Sequence, residues 1–202
     1  MTLHEYSIIG HKRSEVGRYL GLVSVALAPL ITGAAAWAAQ LPFLTSSLRG
    51  KMLAFTISTG AVYALLYWLF NRYGWRRVDK ILGIPDLGGV WKIVGKSLTL
   101  EGEEKYPWTG TLSITQRWDR IAIELQTTQS TSHSETASVL LQPDGKAKLS
   151  YSYQNHPNMG EVELNKHQGF CELVFDPNRQ SAEGHYFNSL GRYSIGRMKL
   201  SK

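Results

Sequence analysis

The residues with chemistry to offer are concentrated in the second half of the 202-residue chain. In LSYSYQNHP (149–157), Leu149, Tyr151, Tyr153 and Asn155 share one parity, and Ser150, Ser152 and Gln154 the other. A strand with that alternation turns two tyrosines and an asparagine to one face and small polar groups to the opposite face. Tyr186 and Asn188 in GHYFN (184–188) repeat the pattern. Aromatic faces and an amide suit recognition of a planar, polar ligand, but the same groups also fill cores when each OH and amide finds a partner. The residues alone leave packing and recognition both open.

Catalytic chemistry is harder to find. His133, His156, His167 and His185 are scattered singly, with no HExxH, no HxH and no carboxylate at metal-ligand spacing, so no metal site is expected. STSHSE (130–135) lacks the strand–turn–helix setting of a nucleophile elbow and reads as a polar hairpin loop. No Gly-x-x-x-x-Gly-Lys phosphate loop is present. The single cysteine, Cys171, sits in the apolar run FCELVF and behaves as a small buried hydrophobe. An enzyme is disfavoured, and no cofactor is expected.

The elements that must position these side chains are short strands. From Asp86 onward, period-2 runs at 90–98, 108–116, 120–128, 135–141, 147–155, 161–165, 170–175, 184–188 and 193–200 alternate with turn signals at 116–119, 143–145, 167–169, 176–178 and 189–191. About eight to nine strands joined by tight links predict an all-β, antiparallel meander closed into a small barrel, since closure removes exposed edges. GGVW (88–91) is similar to the Gly-x-Trp that begins lipocalin-like barrels. That similarity implies a structural pair at the barrel base, Trp91 packed on Arg197 of the last strand.

The first half is different. Residues 19–48 contain no charge, and a second uncharged run covers 52–71. Each is long enough for a span of about 20 residues, and two such runs argue against a cleaved leader. Two N-terminal transmembrane helices follow, at about 19–41 and 52–71, with Pro29 inside the first and Pro42 placed to end it. The predicted division is a membrane region at 1–85 and a β domain at 86–202. Lys and Arg exceed Asp and Glu by nine to three in residues 1–85 and balance at thirteen each in residues 86–202. The basic excess of +6 thus belongs to the membrane region, and a long nucleic acid is an unsuitable partner for the neutral β domain.

Lys12, Arg13 and Arg18 precede the first span, Arg49 and Lys51 separate the two, and Arg72, Arg76, Arg77 and Lys80 follow. The outer flanks are richer, which predicts that both termini and the β domain lie in the cytoplasm. The spans carry only mild polar groups, and the small-residue pairs Gly17/Gly21 and Gly60/Ala64 suit close helix packing.

With QRWDRIAIELQTTQSTSHS, LSYSYQNHP, HQGFCEL and EGHYFN in that order behind two spans, the chain resembles the two-transmembrane, β-strand-rich effectors of bacterial CBASS anti-phage systems. The resemblance implies that the barrel binds a cyclic dinucleotide. It further implies that binding drives homo-oligomerisation in the lipid bilayer, membrane disruption and death of the infected cell. On that reading Tyr151, Tyr153, Trp118 and Tyr186 are candidates to stack on bases, Asn155 and Asn188 to read base edges, and Arg120 or Arg192 to pair with phosphate. Two other expectations compete with it: a membrane-anchored barrel carrying a lipid or other apolar molecule, and a structural subunit with a filled barrel.

Overall fold

The computed structural model describes residues 2–41, 46–53, 57–78, 82–161, 165–190 and 193–202. The chain divides into two compact units, one made of Met1–Gly10 with Arg76–Lys202 and the other of His11–Trp75.

The second unit is helical. Helix α1 (Arg13–Ala38) carries Pro29 within it and turns apolar side chains such as Leu22, Val25 and Leu30 outward. Its 26 residues at a rise of about 1.5 Å each cover the hydrocarbon thickness of a bilayer. Among the described residues it is the one helix long and apolar enough to cross a membrane. The uncharged run at 52–71 is not one described helix. Helix α2 (Ser46–Leu53) ends inside it, and α3 (Thr59–Arg72) starts afresh. The new start has a local cause: the Ser58 hydroxyl accepts a hydrogen bond from the Ala61 amide at 3.1 Å and so caps α3. Pro42 lies outside the described residues. Within this unit α1 packs along α3, with the Tyr63 hydroxyl lying beside Gly17.

The first unit is a closed barrel of nine described strands: β1 (His4–Ile9), β2 (Gly89–Leu98), β3 (Glu104–Gln116), β4 (Arg120–Thr127), β5 (Ser130–Leu141), β6 (Ala147–Pro157), β7 (His167–Phe175), β8 (Ser181–Ser189) and β9 (Ser194–Ser201). Strands β2 to β9 form an antiparallel meander that closes through β9 onto β2. The weakest seam lies between β4 and β5. They pair only near their connecting turn, from Glu124↔His133 to Gln126↔Thr131, and then separate. Strand β1 fills the gap, antiparallel to β4 at His4↔Ile121 and parallel to β5 from Tyr6↔Ala137 to Ile9↔Leu140. A register shift in β5 between Ser134 and Thr136 lies beside the place where β1 enters.

Several sequence expectations change here. Strand β1 belongs to the barrel, although it falls in the stretch 1–85 assigned to the membrane region. The proposed strand at 161–165 is replaced: Glu161 and Asn165 lie outside any strand, and 162–164 lie outside the described residues. STSHSE and His167-Gln168-Gly169 also prove to be strand rather than turn, opening β5 and β7.

Inward residues grade along the barrel axis. One end, the base, is closed by Trp91, Ile93, Leu112, Ile114, Ile121, Ile123, Leu149, Leu173, Phe175 and Leu200, all buried. Trp91 meets Phe175 edge to face at 5.0 Å. The expected Trp91–Arg197 pair is absent. In β9 the inward set is Gly196, Met198 and Leu200, so Arg197 points outward. The cation over Trp91 is instead Lys202, with Nζ 4.7 Å from the ring centroid.

Candidate ligand-binding cavity

Toward the other end the same strands change composition. Their inward positions become Gly95 and Ser97 on β2, Trp108 on β3, Tyr151, Tyr153 and Asn155 on β6, and His167, Gly169 and Cys171 on β7. Strands β8 and β9 contribute Tyr186, Asn188 and Gly196. These residues do not fill the barrel. They surround a cavity of about 360 Å³, lined by Trp108, Tyr151, Tyr153, Asn155, Tyr186 and Asn188 together with Ser130, Ser132, His167 and Ser194. The question of filled or ligand-holding barrel thus divides by position: the base half is packed and the mouth half is hollow.

Three glycines make the hollow possible. Trp108 stands directly across from Gly95, Tyr153 across from Gly169, and Tyr186 across from Gly196. A Cβ built at these glycines would meet the facing ring at 2.2, 2.4 and 2.4 Å respectively, far inside van der Waals contact. Each ring therefore lies flat along the wall over its partner's backbone, where any larger residue would push it into the lumen. Tyr186 and Trp108 meet edge to face at 5.8 Å, and the indole Nε1 donates to the Tyr186 hydroxyl at 3.1 Å.

The polar groups are individually placed. The Tyr153 hydroxyl donates to Asn188 Oδ1 at 2.6 Å, and Asn188 Nδ2 donates to Ser194 Oγ at 2.9 Å. Asn155 is only 3% exposed. Its Oδ1 accepts from Ser132 Oγ at 2.9 Å, while its Nδ2 is buried with no protein partner. His167, opposite Asn155 in register, places Nδ1 2.8 Å from the Asn165 carbonyl. Burial raises the phenol pKa values of Tyr151, Tyr153 and Tyr186, so all three stay neutral donors at physiological pH. Burial also pushes the Cys171 thiol up to about 12.

Of the residues singled out from sequence, Tyr151, Tyr153, Asn155, Tyr186 and Asn188 converge on this cavity. Trp118 and Arg120 do not. Trp118 is buried in the β3–β4 turn and Arg120 opens β4 opposite Glu5, both at the base end. Arg192 lies outside the described residues. Trp108, Ser132 and His167 were missed. Trp108 shares parity with Leu112 and Ile114, a signal visible in the sequence. Ser132 and His167 fell in segments read as turns.

Family models match both parts of the chain. A model described as "Cap15, cyclic dinucleotide receptor domain" matches residues 82–202, and one described as "Cap15, TM helices" matches residues 14–76. A CD-NTase-associated protein 15 from Yersinia aleksiciae is 36% identical over 209 residues, covering 100% of this chain and 98% of that relative. With transmembrane helices ahead of a barrel whose hollow half is walled by aromatic rings, the chain belongs to the Cap15 family of CBASS effectors.

Proposed function

We propose that the mouth half of the barrel binds a cyclic dinucleotide and that binding drives homo-oligomerisation of the transmembrane helices, disrupting the inner membrane and killing the infected cell. The observation that carries the reading is the set of three glycine-backed rings around a cavity with an unpartnered buried amide. Flat rings on the wall suit stacking by nucleobases, worth roughly 1–3 kcal/mol per base. A lipid tail would leave the buried Asn155 Nδ2 unsatisfied, which disfavours the apolar-carrier alternative. The cavity's described lining contains no Lys or Arg. The anionic phosphodiesters then belong at the open mouth, in water or near Lys166, which is exposed beside His167.

The Lys and Arg distribution around the spans favours a cytoplasmic location for both termini and the barrel, where a second messenger is available. Uncharged helix faces with small residues at Gly17 and Gly60 suit helix–helix association over a selective, charge-lined pore. The test uses the full chain in detergent micelles, titrated calorimetrically with a panel of cyclic dinucleotides, followed by dye release from liposomes carrying the chain. The expected result is saturable binding of at least one member and ligand-dependent dye release. No binding across the panel, with lipid co-purifying in its place, overturns the reading.

A further inference from the structure

We infer that Asn155 and His167 together read the hydrogen-bonding edge of one nucleobase, and that Ser132 sets the orientation in which Asn155 does so. The inference rests on the cyclic dinucleotide reading of the cavity and specifies which atoms discriminate among bases.

The argument begins with what each polar group has already committed. Asn188 is engaged at both ends, accepting from Tyr153 through Oδ1 and donating to Ser194 through Nδ2. Its task is to hold the Tyr153 ring. Asn155 is half spent. Ser132 Oγ donates to its Oδ1 at 2.9 Å, which turns Nδ2 the other way, and that nitrogen has no partner although the residue is 3% exposed and lines the cavity. A buried donor without an acceptor is uncommon in folded proteins and marks a group awaiting one.

His167 supplies the complementary function. A backbone carbonyl only accepts, so the 2.8 Å contact between His167 Nδ1 and the Asn165 carbonyl puts the ring proton on Nδ1. In the neutral ring Nε2 is then an acceptor, on a side chain that also lines the cavity. Asn155 and His167 are direct cross-strand partners on the inward face, so the residues that carry the donor and the acceptor are neighbours. Their match is a ligand edge with an acceptor next to an N–H, which the pairing edge of a nucleobase offers. A phosphodiester is acceptor-only and meets Asn155 alone, with the His167 lone pair against it. An alkyl chain meets neither. The neighbouring Tyr151 and Tyr153 rings, tilted 50° with centroids 6.0 Å apart, leave the edge readers beside the stacking surface.

Ser132 is a positioning residue. Without its hydroxyl the Asn155 amide is free to rotate by half a turn and present its carbonyl, which inverts the pattern read at that point. Losing Ser132 therefore changes which bases are preferred, beyond any change in overall strength.

The test is calorimetric titration of the full chain in detergent against cyclic dinucleotides of adenine, guanine, uracil and cytosine, and against the tightest binder methylated on its pairing edge. Thermal melting by circular dichroism runs in parallel. Asn155→Asp replaces the donor with acceptors and is expected to weaken the best ligand at least about tenfold. His167→Phe is expected to do the same, with His167→Gln recovering part of the loss because its amide carbonyl also accepts. Ser132→Ala is expected to shift the ratio of affinities between the best and second-best ligands at least about fivefold, with melting little changed. The methylated ligand is expected to bind weakly. Unchanged affinities and ranking in Asn155→Asp and Ser132→Ala, or full-strength binding of the methylated ligand, overturn the inference while leaving the cavity reading intact. Should Asn155→Asp fail to fold, Ser132→Ala carries the test, since it removes one hydroxyl. If the unsubstituted chain binds no cyclic dinucleotide, the cavity reading and this inference fall together.

Discussion

Replacing Gly196 by alanine probes the hollow half of the barrel with a single methyl group. The Cβ would lie 2.4 Å from Tyr186 ring carbons and 2.5 Å from the phenol oxygen, with no backbone atom among its closest neighbours. Ordinary carbon contacts begin near 3.5 Å, so the ring must withdraw by about 1 Å, and the only unfilled direction is the cavity. That motion removes room where a base would stack and stretches the 3.1 Å bond from Trp108 Nε1. Overpacking costs about 1–3 kcal/mol of stability, offset by about 0.4–1 kcal/mol from the stiffer unfolded chain. Losing one stacking surface costs roughly 1–3 kcal/mol of binding, a weakening of about 5- to 150-fold. Gly95→Ala makes the same test at Trp108, where the Cβ would meet indole atoms at 2.2–2.7 Å. Titration of the full chain with its tightest cyclic dinucleotide measures the affinity, and melting separates weakened binding from unfolding. Tyr186→Phe, which keeps the ring and removes the hydroxyl, is expected to bind closer to the unsubstituted chain than Gly196→Ala does. If Gly196→Ala and Gly95→Ala both fold and bind with unchanged affinity, the glycine-backed rings do not define the ligand space.

Deleting residues 2–9 removes β1 and leaves the separated parts of β4 and β5 as open edges, so the variant is expected to melt lower and to aggregate on heating, followed by light scattering. Gln116→Leu is expected to destabilise by several kcal/mol in denaturant unfolding, because the buried amide donates to the Tyr6 hydroxyl and the Pro85 carbonyl and accepts from the Leu87 amide. Orphaned buried groups cost about 1–3 kcal/mol each, and wild-type stability in this variant would refute the hub role. Cys171, with its thiol held near 12 by burial, is expected to resist iodoacetamide at pH 8 in the folded chain and to react fully in denaturant, as mass spectrometry would record. Rapid alkylation of the native protein would contradict its buried position.

What was legible in the sequence follows a physical division. Strand parity identified Tyr151, Tyr153, Asn155, Tyr186 and Asn188 because each shares phase with buried apolar neighbours such as Leu149 and Ala182. The same rule, applied to β9, already places Arg197 out of phase with Met198 and Leu200; the analogy to other barrels overrode it. Ser130 and Ser132 were hidden because β5 alternates small polar residues on both faces at its start, which leaves no hydrophobic period to read. His167 was hidden by the glycine two residues on, a turn signal by composition but here a seat for Tyr153. Strand β1 was hidden for a different reason. HEYSII carries only two inward apolar residues, Tyr6 and Ile8, and its partners lie more than a hundred residues away. Pairing at that separation leaves no local trace. Trp118 lies at a depth along the axis that parity does not report, whereas Arg120 is out of phase with the inward Ile121 and Ile123.

The two halves of the barrel depend on each other. A wall of phenols, hydroxyls and an unpartnered amide stabilises little by itself, and holding glycines beneath the rings gives up further packing. The base supplies the stability that the mouth forgoes: buried Ile, Leu, Trp and Phe from β2, β3, β4, β6, β7 and β9 meet there. Gln116 lies in that base and ties three segments, β3, the 85–87 stretch and Tyr6 of β1. The last two are the points where the chain enters and leaves the barrel unit on its way to and from His11–Trp75. A ligand that stiffens the mouth therefore acts on strands whose opposite ends are pinned to the two exits. Strand β3 carries Trp108 at the cavity and Gln116 at the base, so one strand runs from the cavity wall to the hydrogen bonds that hold both exits.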